Sequence, residues 1–173
     1  KAIVERLKKA YEEKGWLNET GAKYPVEVAI HKDNVLLTID TSGSGLNKRG
    51  YRLAQGEAPI KETLAASLIR LANWKGDSPL IDPFCGSGTI AIEACLIAQN
   101  IAPGFNRDFV SEEWNIMPPN IYDELRDEAD RMADYDKEIE VYASDIDPEM
   151  VEIAKRNAEE VGLGDIIQFN VKD

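Results

Sequence analysis

The stretch Pro79-Leu80-Ile81-Asp82-Pro83-Phe84-Cys85-Gly86-Ser87-Gly88-Thr89 constrains this chain more than any other. A short apolar run ends in a carboxylate, passes through a loop with two glycines, and opens into the apolar segment 89–98. That is the pattern of a buried strand, a tight loop and a helix packed on a sheet. It is how α/β folds present a ligand site at the carboxyl end of a strand.

The rest of the chain can supply such a sheet. From residue 59 the patterns run helix, strand, helix, helix, strand, helix, strand, which predicts a parallel sheet covered on both faces. Pro59 suits the first position of a helix whose apolar face is Ile60, Leu64, Leu68 and Leu71. Segment 89–98 is apolar nearly all round and should be covered on several sides, with Cys95 a core residue. Residues 100–117 read as irregular. Ile121, Leu125, Ala129 and Met132 then mark the inner face of an amphipathic helix whose carboxylates form a solvated surface. A strand over 139–144 follows. Asp147 caps the next helix, with Pro148 at its first turn, Gly162 past its end, and Val151, Ala154, Ala158 and Val161 inward. Residues 166–171 form a third strand.

The first third is different. Residues 2–13 suit an amphipathic helix with Ile3, Leu7 and Ala10 on one face. Val26, Val28 and Ile30 alternate, as do Val35, Leu37 and Ile39, around the polar turn His31-Lys32-Asp33-Asn34. That predicts a β-hairpin with one buried face and His31 exposed in its turn. Ser42-Gly43-Ser44-Gly45 predicts a flexible joint. Next comes the densest basic cluster, Lys48-Arg49-Gly50-Tyr51-Arg52. Lys48, Arg49 and Arg52 around an aromatic suit phosphate contact with stacking. An ordinary solvated loop remains equally open.

Charge and length limit the possibilities. At 173 residues, 43% hydrophobic and 30% charged, the chain can bury one sizeable core with a small appended unit. The net charge of -12 is uneven: residues 1–58 balance at +2 and residues 59–173 at -14. An acidic segment of that size repels phosphates, so any nucleic-acid contact must come from the first third or from further chain. No apolar run approaches the roughly 18 residues of a membrane helix. There is no signal-peptide pattern, and Cys85 and Cys95 lack disulfide or metal-ligand spacing. A cytoplasmic protein without a membrane partner is expected. Lys1 lies in a helical pattern and Asp173 at a strand end, so both ends are expected to be cuts through a longer protein.

Asp82, Asp145 and Asp173 each close a predicted strand, so they should share one edge of the sheet. Gly86 and Gly88 let backbone approach a ligand. The helix starting near Thr89 offers free N–H groups and a partial positive charge to a carboxylate or phosphate. Asp82 suits an ammonium group, Asp145 a ribose diol, and Asp173 an amino group such as adenine N6. Ile146 offers the adenine an apolar face. S-adenosylmethionine carries all of these at once.

An NAD-dependent oxidoreductase is the rival, because Gly86-x-Gly88-x-x-Ala91 fits the dinucleotide fingerprint. Against it, Asp82 would face pyrophosphate, and Asp145 lies far beyond the roughly 20-residue spacing of the ribose acid. There is no Gly-Lys-Ser/Thr for a P-loop. Ser87 lacks the frame of a nucleophile elbow. Cys85 has no histidine beside it and is read as a loop-positioning residue. No metal cluster is indicated. A second class stays open: an RNA-binding module whose sheet is structural or senses the cofactor.

Asp82-Pro83-Phe84-Cys85-Gly86-Ser87-Gly88-Thr89 resembles the first motif of class I methyltransferases acting on exocyclic amines of nucleic-acid bases. Gly50-Tyr51-Arg52 and Gly56-Glu57-Ala58-Pro59-Ile60-Lys61-Glu62-Thr63-Leu64-Ala65-Ala66 resemble the linker and first helix of the THUMP-domain guanine-N2 RNA methyltransferases. Ala143-Ser144-Asp145-Ile146-Asp147, Asn157-Ala158 and Asn170-Val171-Lys172-Asp173 are similar to later motifs of that family, and the helix and hairpin before residue 45 to the end of its THUMP domain. The resemblance implies a Rossmann-like half-domain over residues 46–173, preceded over 1–45 by the end of an α+β THUMP-like RNA-binding unit. It implies cofactor roles for Asp82, the loop Cys85, Gly86, Ser87, Gly88 and Thr89, and for Asp145 and Asp173. It implies methyl transfer from S-adenosylmethionine to guanine N2 of large-subunit ribosomal RNA by direct displacement, with tRNA or DNA amines as alternatives. The family's Asn-Pro-Pro-Tyr/Phe motif, which receives the flipped base, follows the third motif. This sequence ends at Asp173, so no catalytic residue is assigned and residues 1–173 alone are expected to be inactive. The family's sheet order implies the three strands run 3-2-1, leaving the first with an open edge.

Overall fold

The computed structural model describes residues 2–53 and 58–173. Gly56 and Glu57, part of the resemblance, lie outside the described residues. The elements are α1 (Ala2–Ala10), β1 (Val26–His31), β2 (Asn34–Ile39), α2 (Glu62–Leu71), β3 (Leu80–Asp82), α3 (Thr89–Ala98), α4 (Ile121–Met132), β4 (Val141–Asp145), α5 (Pro148–Glu159) and β5 (Ile167–Val171), with a 3-10 turn over Val110–Glu113. No described helix is long and apolar enough to cross a membrane.

The α/β unit has the expected form. Its parallel sheet runs in the order β3-β4-β5, the 3-2-1 arrangement, with β3 as an edge strand among the described residues. Val141, Ala143 and Ile167 from the sheet meet Ala91, Ile92, Cys95 and Leu96 of α3 and Ala154 and Ala158 of α5 in one core. Helix α3 is buried over most of its surface, as an all-round apolar helix must be. Helix α5 starts as its sequence dictates: Asp147 Oδ1 accepts from Glu149 N at 2.8 Å, Pro148 takes the first turn, and Gly162 lies past the end with φ +71°.

Other expectations need correcting. Helix α2 begins at Glu62, with Pro59 outside it, and it buries Glu62, Ala65 and Ile69. Leu64, Leu68 and Leu71 lie exposed. On the buried face Glu62 forms an ion pair, Arg52 Nε to Glu62 Oε1 at 2.9 Å. The hairpin has no buried face, because every residue of β1 and β2 is exposed. Its turn is tighter than expected: Lys32 and Asp33 have φ of 46° and 60°, the two-residue left-handed loop that suits strand twist. His31 therefore pairs with Asn34 as the last residue of β1 instead of sitting in the turn. Helix α4 lies on the surface with no buried residue; Leu125 and Met132 are exposed. The joint at 42–45 is not free, for Arg107 binds its carbonyls.

Candidate cofactor site

Parallel register sets out the acids. Asp82 is level with Ala143, and Asp145 is level with Val171. Each strand-end acid thus stands two residues further along than its neighbour, which keeps Asp82 and Asp145 on one side of the pleat. Asp173 follows two residues beyond the end of β5 and is exposed.

Asp82 is 8% exposed. Its Oδ1 accepts from Phe84 N at 3.3 Å, while its buried Oδ2 has no hydrogen-bond partner among the described residues. Burial pushes this carboxyl above the usual aspartate range, the nearby Asp145 adds to the rise, and the Phe84 N–H opposes it. A buried, unpartnered carboxylate oxygen is costly unless something pairs with it. Asp145 holds the loop. Its Oδ2 accepts from Gly86 N at 2.9 Å and its Oδ1 from Asp147 N at 3.0 Å. Among the described residues these bonds use two of the roughly four acceptor directions of that carboxylate.

The loop is tight because it must be. Gly88 has φ +81°, and a Cβ there would stand 3.0 Å from Ala154 Cβ. Gly88 N donates to Cys85 O and Cys85 N to Ser144 O, both at 2.8 Å. Burial, then Asp82 and Asp145, push the Cys85 thiol up to about 12. A thiol held this high carries little thiolate at neutral pH, which fits a loop-positioning residue. Ser87 and Thr89 are buried; Ile146 is exposed next to Asp145.

The geometry adds residues that the sequence reading did not assign to the site. Asn157 of α5 donates from Nδ2 to Ser87 O at 3.0 Å and accepts at Oδ1 from Leu53 N at 3.1 Å. In the sequence it appears only within Asn157-Ala158, as part of the family resemblance, with no role attached. Arg52 Nη2 donates to Thr89 Oγ1 at 2.8 Å and to Ile60 O at 2.9 Å. Its Nε is close to Glu62 without being aligned for a hydrogen bond. Arg49 pairs with Glu93 at 3.4 Å, and Tyr51 OH donates to Glu93 Oε1 at 3.1 Å. Both arginines of the basic cluster thus have carboxylate partners inside the protein, and Lys48 remains exposed. Among the described residues no acid, His and Cys group is arranged to hold a metal.

The site's donor set fits an aminoacyl-nucleoside: an unpartnered buried carboxylate, a glycine loop opening a helix N-terminus, and a second strand-end acid. Comparison with known proteins agrees. Residues 49–173 match the family model UPF0020, the RMKL-like methyltransferase domain. The chain belongs to this methyltransferase family. It is 59% identical over its whole length to "Putative RNA methyltransferase YpsC" of Bacillus subtilis (strain 168), of which it covers 46%. It is 40% identical over 99% of its length to "Ribosomal RNA large subunit methyltransferase K/L" of Psychromonas ingrahamii, of which it covers 23%. The chain therefore spans about half the length, or less, of these relatives. Among solved structures, "a predicted N6-adenine-specific DNA methylase from Listeria monocytogenes" matches with TM-score 0.92 and 57% identity, covering 99% of this chain and 45% of that one. "SMU.472, a putative methyltransferase complexed with SAH" matches with TM-score 0.89 and 47% identity, covering 98% and 45%.

Proposed function

We propose that this chain holds S-adenosylmethionine for methyl transfer to an exocyclic amine of RNA, with guanine N2 of large-subunit ribosomal RNA as the target. The observation that carries the cofactor reading is the buried Oδ2 of Asp82, beside the Gly86–Gly88 loop and without a hydrogen-bond partner among the described residues. The relative complexed with SAH and the relatives named for RNA support it. When bound, the cofactor supplies a methyl group on a sulfonium.

The chain's own residues do the holding. Asp82 accepts from the α-ammonium. The N–H groups at the start of α3 receive the carboxylate. Asp145 accepts from the ribose hydroxyls, Ile146 covers one adenine face, and Asp173 accepts from its amino group. Cys85, Ser87 and Thr89 shape the loop. Cys85 stays protonated, consistent with direct displacement. Residues 46–173 form the donor unit, and residues 1–45 belong to an RNA-binding unit of THUMP type. Within the basic cluster Lys48 is the exposed cation that would meet a phosphate, whereas Arg49 and Arg52 are paired to Glu93 and Glu62.

The neighbour named as a DNA methylase keeps a DNA amine as the second reading. The test is methylation by the full-length protein with labelled cofactor, offered transcribed ribosomal RNA, tRNA and duplex DNA, followed by nucleoside analysis. Label in N2-methylguanosine from ribosomal RNA is expected. Label only in DNA adenine would replace this reading with the second.

A further inference from the structure

The segment between α3 and α4 does something its irregular sequence does not announce: it grips the hairpin at both ends. Ahead of β1, Trp114 Nε1 donates to Lys23 O at 2.7 Å, and the Trp114 ring stacks on Tyr24 with centroids 4.8 Å apart. After β2, Ser111 donates to Thr41 O twice, from Oγ at 2.8 Å and from N at 3.3 Å.

Arg107 secures the stretch that follows. Its buried guanidinium donates to the carbonyls of Ser42 at 3.1 Å, Ser44 at 2.6 Å, Gly45 at 2.9 Å and Lys48 at 3.3 Å. It lies over Phe109 at 4.8 Å. Among the described residues no carboxylate pairs with it, so carbonyl oxygens, the Ser44 hydroxyl at 3.2 Å and the Phe109 ring offset its desolvation. Shape confirms the fit. A Cβ on Gly43 would stand 3.1 Å from Val110 Cβ, and one on Gly50 would strike Asn106 O at 1.9 Å.

The linker is then fastened step by step along α3: Arg49 and Tyr51 to Glu93, and Arg52 to Thr89 at the donor loop. A peptide that looked like a hinge is zipped to the helix that carries the donor loop.

We infer that residues 104–114 are a brace that sets the hairpin unit at a fixed position relative to the donor crevice, and that Arg107 is a positioning residue for the acceptor substrate. The brace itself rests on geometry; the acceptor role rests on the proposed function. The two fail separately.

The experiment uses the full-length protein with Arg107→Met and Arg107→Lys. Limited proteolysis of Arg107→Met should cleave residues 41–49 about tenfold faster, because cleavage follows the population of the opened segment. S-adenosylhomocysteine affinity should stay within about twofold, since the Arg107 side chain bonds Ser42, Ser44, Gly45 and Lys48 and none of the proposed cofactor residues. The KM for transcribed ribosomal RNA should rise by about fivefold or more with kcat within about twofold. Lysine keeps the charge but cannot span four carbonyls, so Arg107→Lys should fall between. If Arg107→Met does not fold, Ser111→Ala should give smaller changes in the same directions. Unchanged cleavage would overturn the brace. Raised cleavage with an unchanged KM would overturn the acceptor role. Wild-type protein that binds no S-adenosylhomocysteine or methylates no RNA would refute the proposed function, while cleavage still decides the brace.

Discussion

Gly86 N donates to Asp145 Oδ2 at 2.9 Å, so the acid that ends β4 holds the glycine loop that follows β3. One carboxylate shapes the loop and, in the proposed function, also accepts from the ribose hydroxyls. Asp145→Ala is expected to weaken S-adenosylhomocysteine binding by about 1–3 kcal/mol, the cost of stranding polar partners. Calorimetric titration measures it. Affinity equal to wild type would remove Asp145 from the site.

Asp82 gives the site a pH dependence. Burial holds its proton more tightly in the folded chain than in the unfolded one. The sign follows: the folded state binds more protons, so the Asp82 contribution to stability falls as pH rises between the unfolded and the raised folded value. Cofactor binding moves the other way, because an ammonium pairs only with the ionised form. S-adenosylhomocysteine affinity should therefore fall as pH drops through the raised value. In Asp82→Asn it should be weak and should lose this dependence. Titrations across a pH series test this.

Glu93 joins the linker to α3. Burial raises its carboxyl, while Arg49 and Tyr51 pull it down. Tyr51→Phe removes one hydrogen bond and should cost about 1 kcal/mol. Glu93→Gln leaves Arg49 without its counter-charge and should cost about 3 kcal/mol. Denaturant unfolding reads both, and equal losses would contradict the assigned roles.

Gly50 offers a backbone test. At φ +100°, a Cβ would lie 1.9 Å from Asn106 O, whereas one on Gly15 would meet nothing within 4 Å. Gly50→Ala should destabilise by about 2 kcal/mol or more, and Gly15→Ala should change stability by less than about 0.5 kcal/mol. Thermal denaturation of the two variants side by side checks the contrast.

What was legible in the sequence was local or periodic. The Asp147–Pro148 cap, the all-round apolar α3 and the strand-end acids are written in adjacent residues. The β3-β4-β5 order came with the family resemblance. What escaped depends on partners far along the chain. Arg49 and Arg52 read as a surface cluster because Glu93 and Glu62 are not their neighbours in sequence. Leu64, Leu68 and Leu71 marked a different face of α2 from the one that is buried, where Glu62, Ala65 and Ile69 lie and Glu62 meets Arg52, ten residues earlier. Arg107, Ser111 and Trp114 sit in a stretch without periodicity, and only the folded chain shows what they hold.

The central claim is that the crevice at the ends of β3 and β4 holds the methyl donor. Calorimetric titration of the full-length protein with S-adenosylhomocysteine and, separately, with NAD tests it most directly. Wild-type protein should bind S-adenosylhomocysteine and not NAD, and Asp82→Asn should bind it far more weakly at neutral pH. NAD binding without S-adenosylhomocysteine binding, or equal affinity in Asp82→Asn and wild type, would contradict the account.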